Sequence, residues 1–148
     1  MEFHDYLTFL QELRQELDTL SGVEQRKIAA IQAGDLDALD ACMKQEQAAA
    51  LSLRGREQHR NEMLQALGLK GVALGELSRR CPPQDREQAA EITRQVLSSY
   101  RVLSSAQEAA RTLMESNLRR IQQELDRQEA VHQGPSPAAR KTTTDFRA

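Results

Sequence analysis

The chain has 148 residues, with 20 Lys plus Arg against 22 Asp plus Glu, and so a net charge of -2. That balance offers no strong field to nucleic acid or to an anionic membrane. Aromatics at 3% and the absence of Trp remove the usual stacking platforms for single strands.

Leu, Ile, Val and Phe supply 31 residues, a thin stock for a core, while Ala, Gln, Glu, Arg and Leu, all good helix formers, are in excess. The first predicted helix runs from Glu2 to Ala33. Phe3, Tyr6, Leu10, Leu13, Leu17 and Leu20 recur at alternating spacings of three and four, which places them on one helical stripe. Val23, Ile28 and Ile31 continue it less cleanly. Ser21-Gly22 is expected to bend or fray the helix, since Gly costs roughly 1 kcal/mol against Ala in a helix interior. Gly34 ends the segment in the place of a left-handed closing residue.

Asp35 is the N-cap of the second predicted helix, with Asp37 adding favourable charge to its first turn. This helix runs to about Leu67, and Gly68 closes it. Its expected stripe is Leu36, Leu39, Met43, Ala50, Leu53, Leu64 and Leu67. Glu46, Glu57 and Arg60 fall near the same stripe and must either reach to solvent or form a buried polar pairing. A short helix is expected from about Val72 to Arg80, stopped by Pro82-Pro83.

The last helix is predicted from Gln84 or Asp85 to about Val131, a length of roughly 70 Å at 1.5 Å per residue. Ile92, Val96, Leu103, Ala106, Ala110, Leu113, Asn117, Ile121 and Leu125 mark its inner face, with Leu118 beside it. It outruns its partners, so part of its apolar face is left to cover. After Gly134-Pro135-Ser136-Pro137 the chain is small, polar and mildly basic, with Phe146 its one large apolar residue. These readings give an all-α fold: an elongated antiparallel bundle of three long helices plus one short helix over residues 1–132, and a disordered, flexible tail over 133–148.

Catalytic and metal motifs are missing. His4, His59 and His132 are scattered, no HExxH or GxSxG occurs, and Gly71 and Gly75 lack the Lys-Ser/Thr of a phosphate loop. Cys42 and Cys81 have no CxxC spacing and read as reduced thiols. An enzyme needs a walled pocket that a slim bundle rarely supplies, so neither catalysis nor a cofactor is expected. The last helix carries seven Arg and eight acids with signs mixed, unlike a DNA-reading helix. The N-terminus has acids where a signal peptide needs bases, and no apolar run is long enough to span a bilayer, so the expected location is cytoplasmic.

The run AIQAGDLDALDACMKQEQAAALSLRGREQHRNEMLQALGL resembles the FlgN family of flagellar type III export chaperones. The matching features are the Gly34-Asp35 turn, the Leu-rich helix start, the Gln45-Glu46 pair, Arg60 and the Leu67-Gly68-Leu69 ending. NLRRIQQEL after a long last helix, and a tail closing on TDFRA, are similar to the family as well. The resemblance implies a cytoplasmic chaperone that binds the C-terminal amphipathic helix of the hook-associated proteins FlgK and FlgL. It implies further that the chaperone prevents their premature assembly and delivers them to the export gate protein FlhA. Some members dock the gate through a tail Tyr, a place that only Phe146 could fill here.

Helix-in-groove recognition uses anchors at i, i+3, i+4 and i+7. Leu113, Leu118, Ile121 and Leu125 offer such a row, and Asn117 on the seam could fix its register. Up to Leu113 the periodicity is that of bundle core, and from Asn117 onward it reads as a partner-binding face. Two other readings use the same features: an adaptor for a different secretion cargo, and a coiled-coil scaffold that homodimerises, if only weakly, through this face.

Overall fold

The computed structural model describes residues 1–133, and among them the chain is helical, without strands. Three long helices dominate: α1 (Phe3–Ala33), α2 (Leu36–Ala66) and α4 (Arg86–Gln133). Between α2 and α4 lie a 3-10 turn at Leu74–Glu76, the one-turn helix α3 (Leu77–Arg80) and a second 3-10 turn at Pro83–Asp85. The short helix predicted over Val72–Arg80 is therefore split, its first turn being 3-10. Pro82 and Pro83 delay α4 to Arg86, because neither can donate to a helical ladder.

At the start of α1 the Glu2 amide donates to the Asp5 carboxylate at 3.0 Å, a capping arrangement that satisfies a free backbone donor. The helix runs unbroken through Ser21-Gly22. Leu20 and Val23 on either side are buried, and their packing outweighs the local cost of glycine. Helices α1 and α2 both close on a glycine in the left-handed region, Gly34 at φ 68° and Gly68 at φ 71°. Each lets the following amide reach back, Asp35 N to Ala30 O at 3.0 Å and Leu69 N to Leu64 O at 2.8 Å. Asp35 then caps α2, its carboxylate accepting from the Ala38 amide at 3.0 Å.

That two-residue turn folds α2 back along α1. Lys27 meets Glu46, Glu16 meets Arg56, and Tyr6 meets Arg60, so the partner number rises on α2 as it falls on α1. Helix α4 runs the other way relative to α2. Arg14 reaches Gln95 at 3.3 Å and Asp18 accepts from Ser99 at 2.7 Å, so α4 advances one turn for each turn of α1.

The core is built on α1, where Phe3, Tyr6, Leu10, Leu13, Leu17 and Leu20 are all buried as predicted. Helix α4 adds Ala89, Ile92, Val96 and Leu103, and the connector adds Leu69, Val72, Leu77 and Cys81 to the same cluster. The stripe expected on α2 is only partly right. Leu64 is buried, but Leu36, Met43 and Ala50 are exposed, and Cys42 and Met63 turn inward instead. Cys42 and Cys81 are free thiols inside the core. Among the described residues no helix is long and apolar enough to cross a membrane.

The two kinds of leucine separate in an unfolding experiment. Leu10→Ala, at a fully buried site, is expected to lose about 2–5 kcal/mol in urea titrations. Leu36→Ala, at a site 75% exposed, should stay within about 0.5 kcal/mol of the parent. A comparable loss at Leu36 would contradict the register of α2.

Candidate functional site

Two groups of residues are not explained by an apolar core. The first is a polar seam between α1 and α2. Cys42, Glu46, Ala49, Leu53, Arg56, Arg60, Met63 and Leu67 follow one another along α2 at alternating four and three, and all are buried or half-buried. Three of the eight are charged, so each needs a partner on α1. Arg60 Nε donates to the Tyr6 hydroxyl at 3.3 Å, and its Nη1 pairs with Glu57 at 3.0 Å. Arg56 pairs with Glu16, lies 3.6 Å from Glu12, and sits 5.9 Å from the ring centre of Phe9. Glu46 takes Lys27 at 3.0 Å. Of the two outcomes foreseen for Glu46 and Arg60, the structure shows the polar pairing, while Glu57 lies at the exposed edge beside Arg60.

One member of the seam is left over. Glu24 is 1% exposed, and no N–H or hydroxyl meets its carboxylate oxygens, whose polar neighbour is the Glu46 carboxyl. Burial pushes its pKa up, the Glu46 carboxylate pushes it further by sharing the proton and by like charge, and Lys27 pulls it back only partly. The result is about 7. Tyr6 is also raised, by burial first, against the opposing pull of Arg60.

The second group lies on α4. The backbone clusters into two compact units, Met1–Ala110 and the segment from Arg111 on, whose described part is the remainder of α4. Within the first unit Leu103, Ala106 and Ala110 are buried. From Leu113 the same helical face changes character. Leu113, Met114 and Asn117 are half-buried, and Leu118, Ile121 and Leu125 are 63%, 54% and 50% exposed. At spacings of three and four, Met114, Leu118, Ile121 and Leu125 form one row along the helix. Met114 was missed in the sequence, although its place four residues before Leu118 marked it. Asn117 Oδ1 accepts from Arg120 Nη2 at 2.9 Å, a bond within its own helix.

Polar pairs hold this segment from its other sides. Gln122 donates to Asp126 at 3.1 Å, and Arg127 pairs with Glu124. Phe146, the candidate for gate docking, lies outside the described residues. Among the described residues no group of three or more His, Cys, Asp or Glu could hold a metal ion.

A helical hairpin with a third long helix beside it, and an apolar row along the far part of that third helix, is the architecture of the described residues. The family model described as FlgN protein matches residues 1–137, and the chain belongs to that family, which places it among the chaperones of flagellar assembly. Neither the curated proteins nor the solved structures contain a match to the chain.

The Glu24 carboxyl makes stability depend on pH. A folded pKa raised above the unfolded value contributes stability that is fully present below about 4.5 and is lost as pH rises through about 7. The chain should therefore unfold more easily at pH 8 than at pH 5, by at most about 3 kcal/mol from this residue, given roughly 1.4 kcal/mol per pKa unit. Glu24→Gln cannot ionise and should match the parent at pH 5 and exceed it at pH 8 in thermal melts. An identical pH profile for both proteins would show that Glu24 is not held neutral.

Proposed function

We propose that this protein is a flagellar export chaperone for hook-associated proteins. In this reading α4 holds the C-terminal amphipathic helix of FlgK and FlgL, prevents its premature assembly, and gives the cargo up at the export gate protein FlhA. The observation that carries the reading is the row Leu118, Ile121 and Leu125, each at least half exposed on a chain of the FlgN family. An amphipathic cargo helix is apolar on one face and associates with itself when free. A second apolar row with spacings of three and four is the surface that competes with that self-association. Leu113 and Met114 extend the row, and Asn117, tied to Arg120, offers an amide at its edge that could set the cargo's register.

The proposed organisation is a helical part over residues 1–132, which includes the row, followed by a C-terminal segment that engages FlhA through Phe146. The chaperone would work in the cytoplasm, before type III export. The runner-up is a scaffold in which a second copy of the chain covers the same row. Its support is the seam spacing, which α4 continues past Ala110 into the exposed face.

The direct test mixes the protein with a hook–filament junction protein and with a version lacking its C-terminal helix. Only the intact cargo should bind, and equal binding of both, or of neither, rules the proposal out. Ile121→Asp should weaken the complex at least tenfold while leaving thermal unfolding nearly unchanged, because the side chain is 54% exposed. A large stability loss would return Ile121 to the core. Sedimentation of the protein alone separates the runner-up, since a tight dimer would already occupy the row. Phe146→Ala is expected to reduce FlhA binding and leave cargo binding intact, as read in parallel titrations with each partner.

A further inference from the structure

Beyond the layer of Glu24, Lys27 and Glu46 the α1–α2 hairpin continues over residues 28–45, out to the Gly34 turn and back. Little apolar surface holds this end closed. Its buried side chains are Ala30, Ile31 and Cys42, while Leu36 is 75% and Met43 39% exposed. On the other side of the layer the same two helices bury Phe3, Tyr6, Leu10, Leu17, Met63 and Leu64. A segment with so few buried apolar side chains opens by itself at lower cost than the whole chain unfolds. Closure of this end therefore leans on the polar layer at its base.

That layer is balanced only while it keeps one proton. Glu24 and Glu46 share the proton, and Lys27, bonded to Glu46 at 3.0 and 3.2 Å, offsets the remaining negative charge. Among the described residues no other ionisable group faces Glu24, since α4 presents Leu103 and Gln107 there. When the proton leaves, two carboxylates meet one ammonium. Both Glu24 oxygens are closed to solvent, so water cannot relieve the excess charge in place. Relief requires α2 to part from α1 at this layer.

We propose that the Glu24–Glu46 carboxyl pair is a pH-operated latch: its shared proton keeps the hairpin end over residues 28–45 closed, and loss of that proton lets the end open while the rest of the first unit stays folded. Opening brings water to both carboxylates and uncovers Ile31 and Cys42. The accessible apolar area at this end is thereby set by pH, without any ligand. In the open form Glu24 has the ordinary carboxyl value near 4.5 and is ionised throughout the neutral range, whereas in the closed form it ionises at about 7. Rising from pH 6 to pH 8 therefore favours the open form about tenfold, the gain flattening once the closed form ionises as well.

Cys42, a free thiol 5% exposed and one turn from Glu46, reports the opening. The full chain is labelled with iodoacetamide, an uncharged reagent, and modification of Cys42 is followed by peptide mass spectrometry. Dividing its rate by that of the urea-unfolded chain at the same pH removes the thiol's own ionisation and leaves the open fraction. This fraction should rise about tenfold from pH 6 to pH 8. In Glu24→Gln, which cannot ionise, it should be equal at the two pH values, and in Glu46→Gln the rise should be smaller than in the parent. Small additions of urea should hardly change the labelling, because opening the end exposes little surface. An open fraction indifferent to pH, or a rise undiminished in either variant, would overturn the proposal. So would labelling that follows urea as steeply as global unfolding, since Cys42 would then be reached only when the whole chain unfolds. These readouts do not involve the α4 row, so their failure leaves the chaperone proposal standing.

Discussion

The structure depends on the burial of one helix. Of the residues in α1, thirteen are buried, against three in α2. With so few large apolar residues in the chain, α1 contributes more of the buried core than any other single element. The other segments are arranged to cover it. Helix α2 covers one side, α4 runs along another, and the connector adds Leu69, Val72 and Leu77 to the same cluster. The tight Gly34-Asp35 turn follows from this demand, because it brings α2 back immediately and wastes no length of α1.

A thin core shifts other work to charge. Helix α2 cannot be placed by its apolar residues alone, so its position along α1 is fixed by Lys27–Glu46, Glu16–Arg56 and Tyr6–Arg60. Half-buried pairs of this kind add modest stability, since desolvation offsets most of their attraction. Their contribution is register: sliding α2 by one turn would leave each charge without its partner. The cost of the arrangement is concentrated at Glu24, where the seam places a second acid beside Glu46 and only Lys27 is available to both.

These features differ in how far the sequence reveals them. Helix ends were legible because they rest on local chemistry, Gly34 and Gly68 at the left-handed closures and Asp35 at a cap. The core face of α1 was legible because Leu and aromatic residues mark it from Phe3 to Leu20. The register of α2 was not: Met43 outweighed its neighbour Cys42, and hydrophobicity cannot distinguish Ala50 from the identical Ala49 beside it. A stricter use of spacing would have found it. On α1 the alternation of three and four continues from Leu17 and Leu20 to Glu24, Lys27 and Ile31. On α2 it passes through Glu46, Arg56 and Arg60. The charged residues on the seam hid it from a reading based on apolarity, and they are the residues that fix the pairing. On α4 the row from Asn117 to Leu125 was visible as a pattern. Whether its side chains are exposed depends on tertiary structure, which periodicity alone does not report.

The size of that row matters for the proposed role. The row has three exposed side chains, Leu118, Ile121 and Leu125, with the half-buried Leu113 and Met114 preceding them. They also offer the three-and-four anchors a cargo helix requires. A chaperone that must surrender its cargo at an export gate gains nothing from a deep, fully buried interface, because most differences in affinity between related complexes lie in the dissociation rate. A longer apolar row would bind more tightly and release more slowly. Asn117, placed at the edge of the row and held by Arg120, limits its apolar extent where α4 leaves the buried core. Selectivity for a cargo helix would then come from matching its register against that amide, with little added affinity.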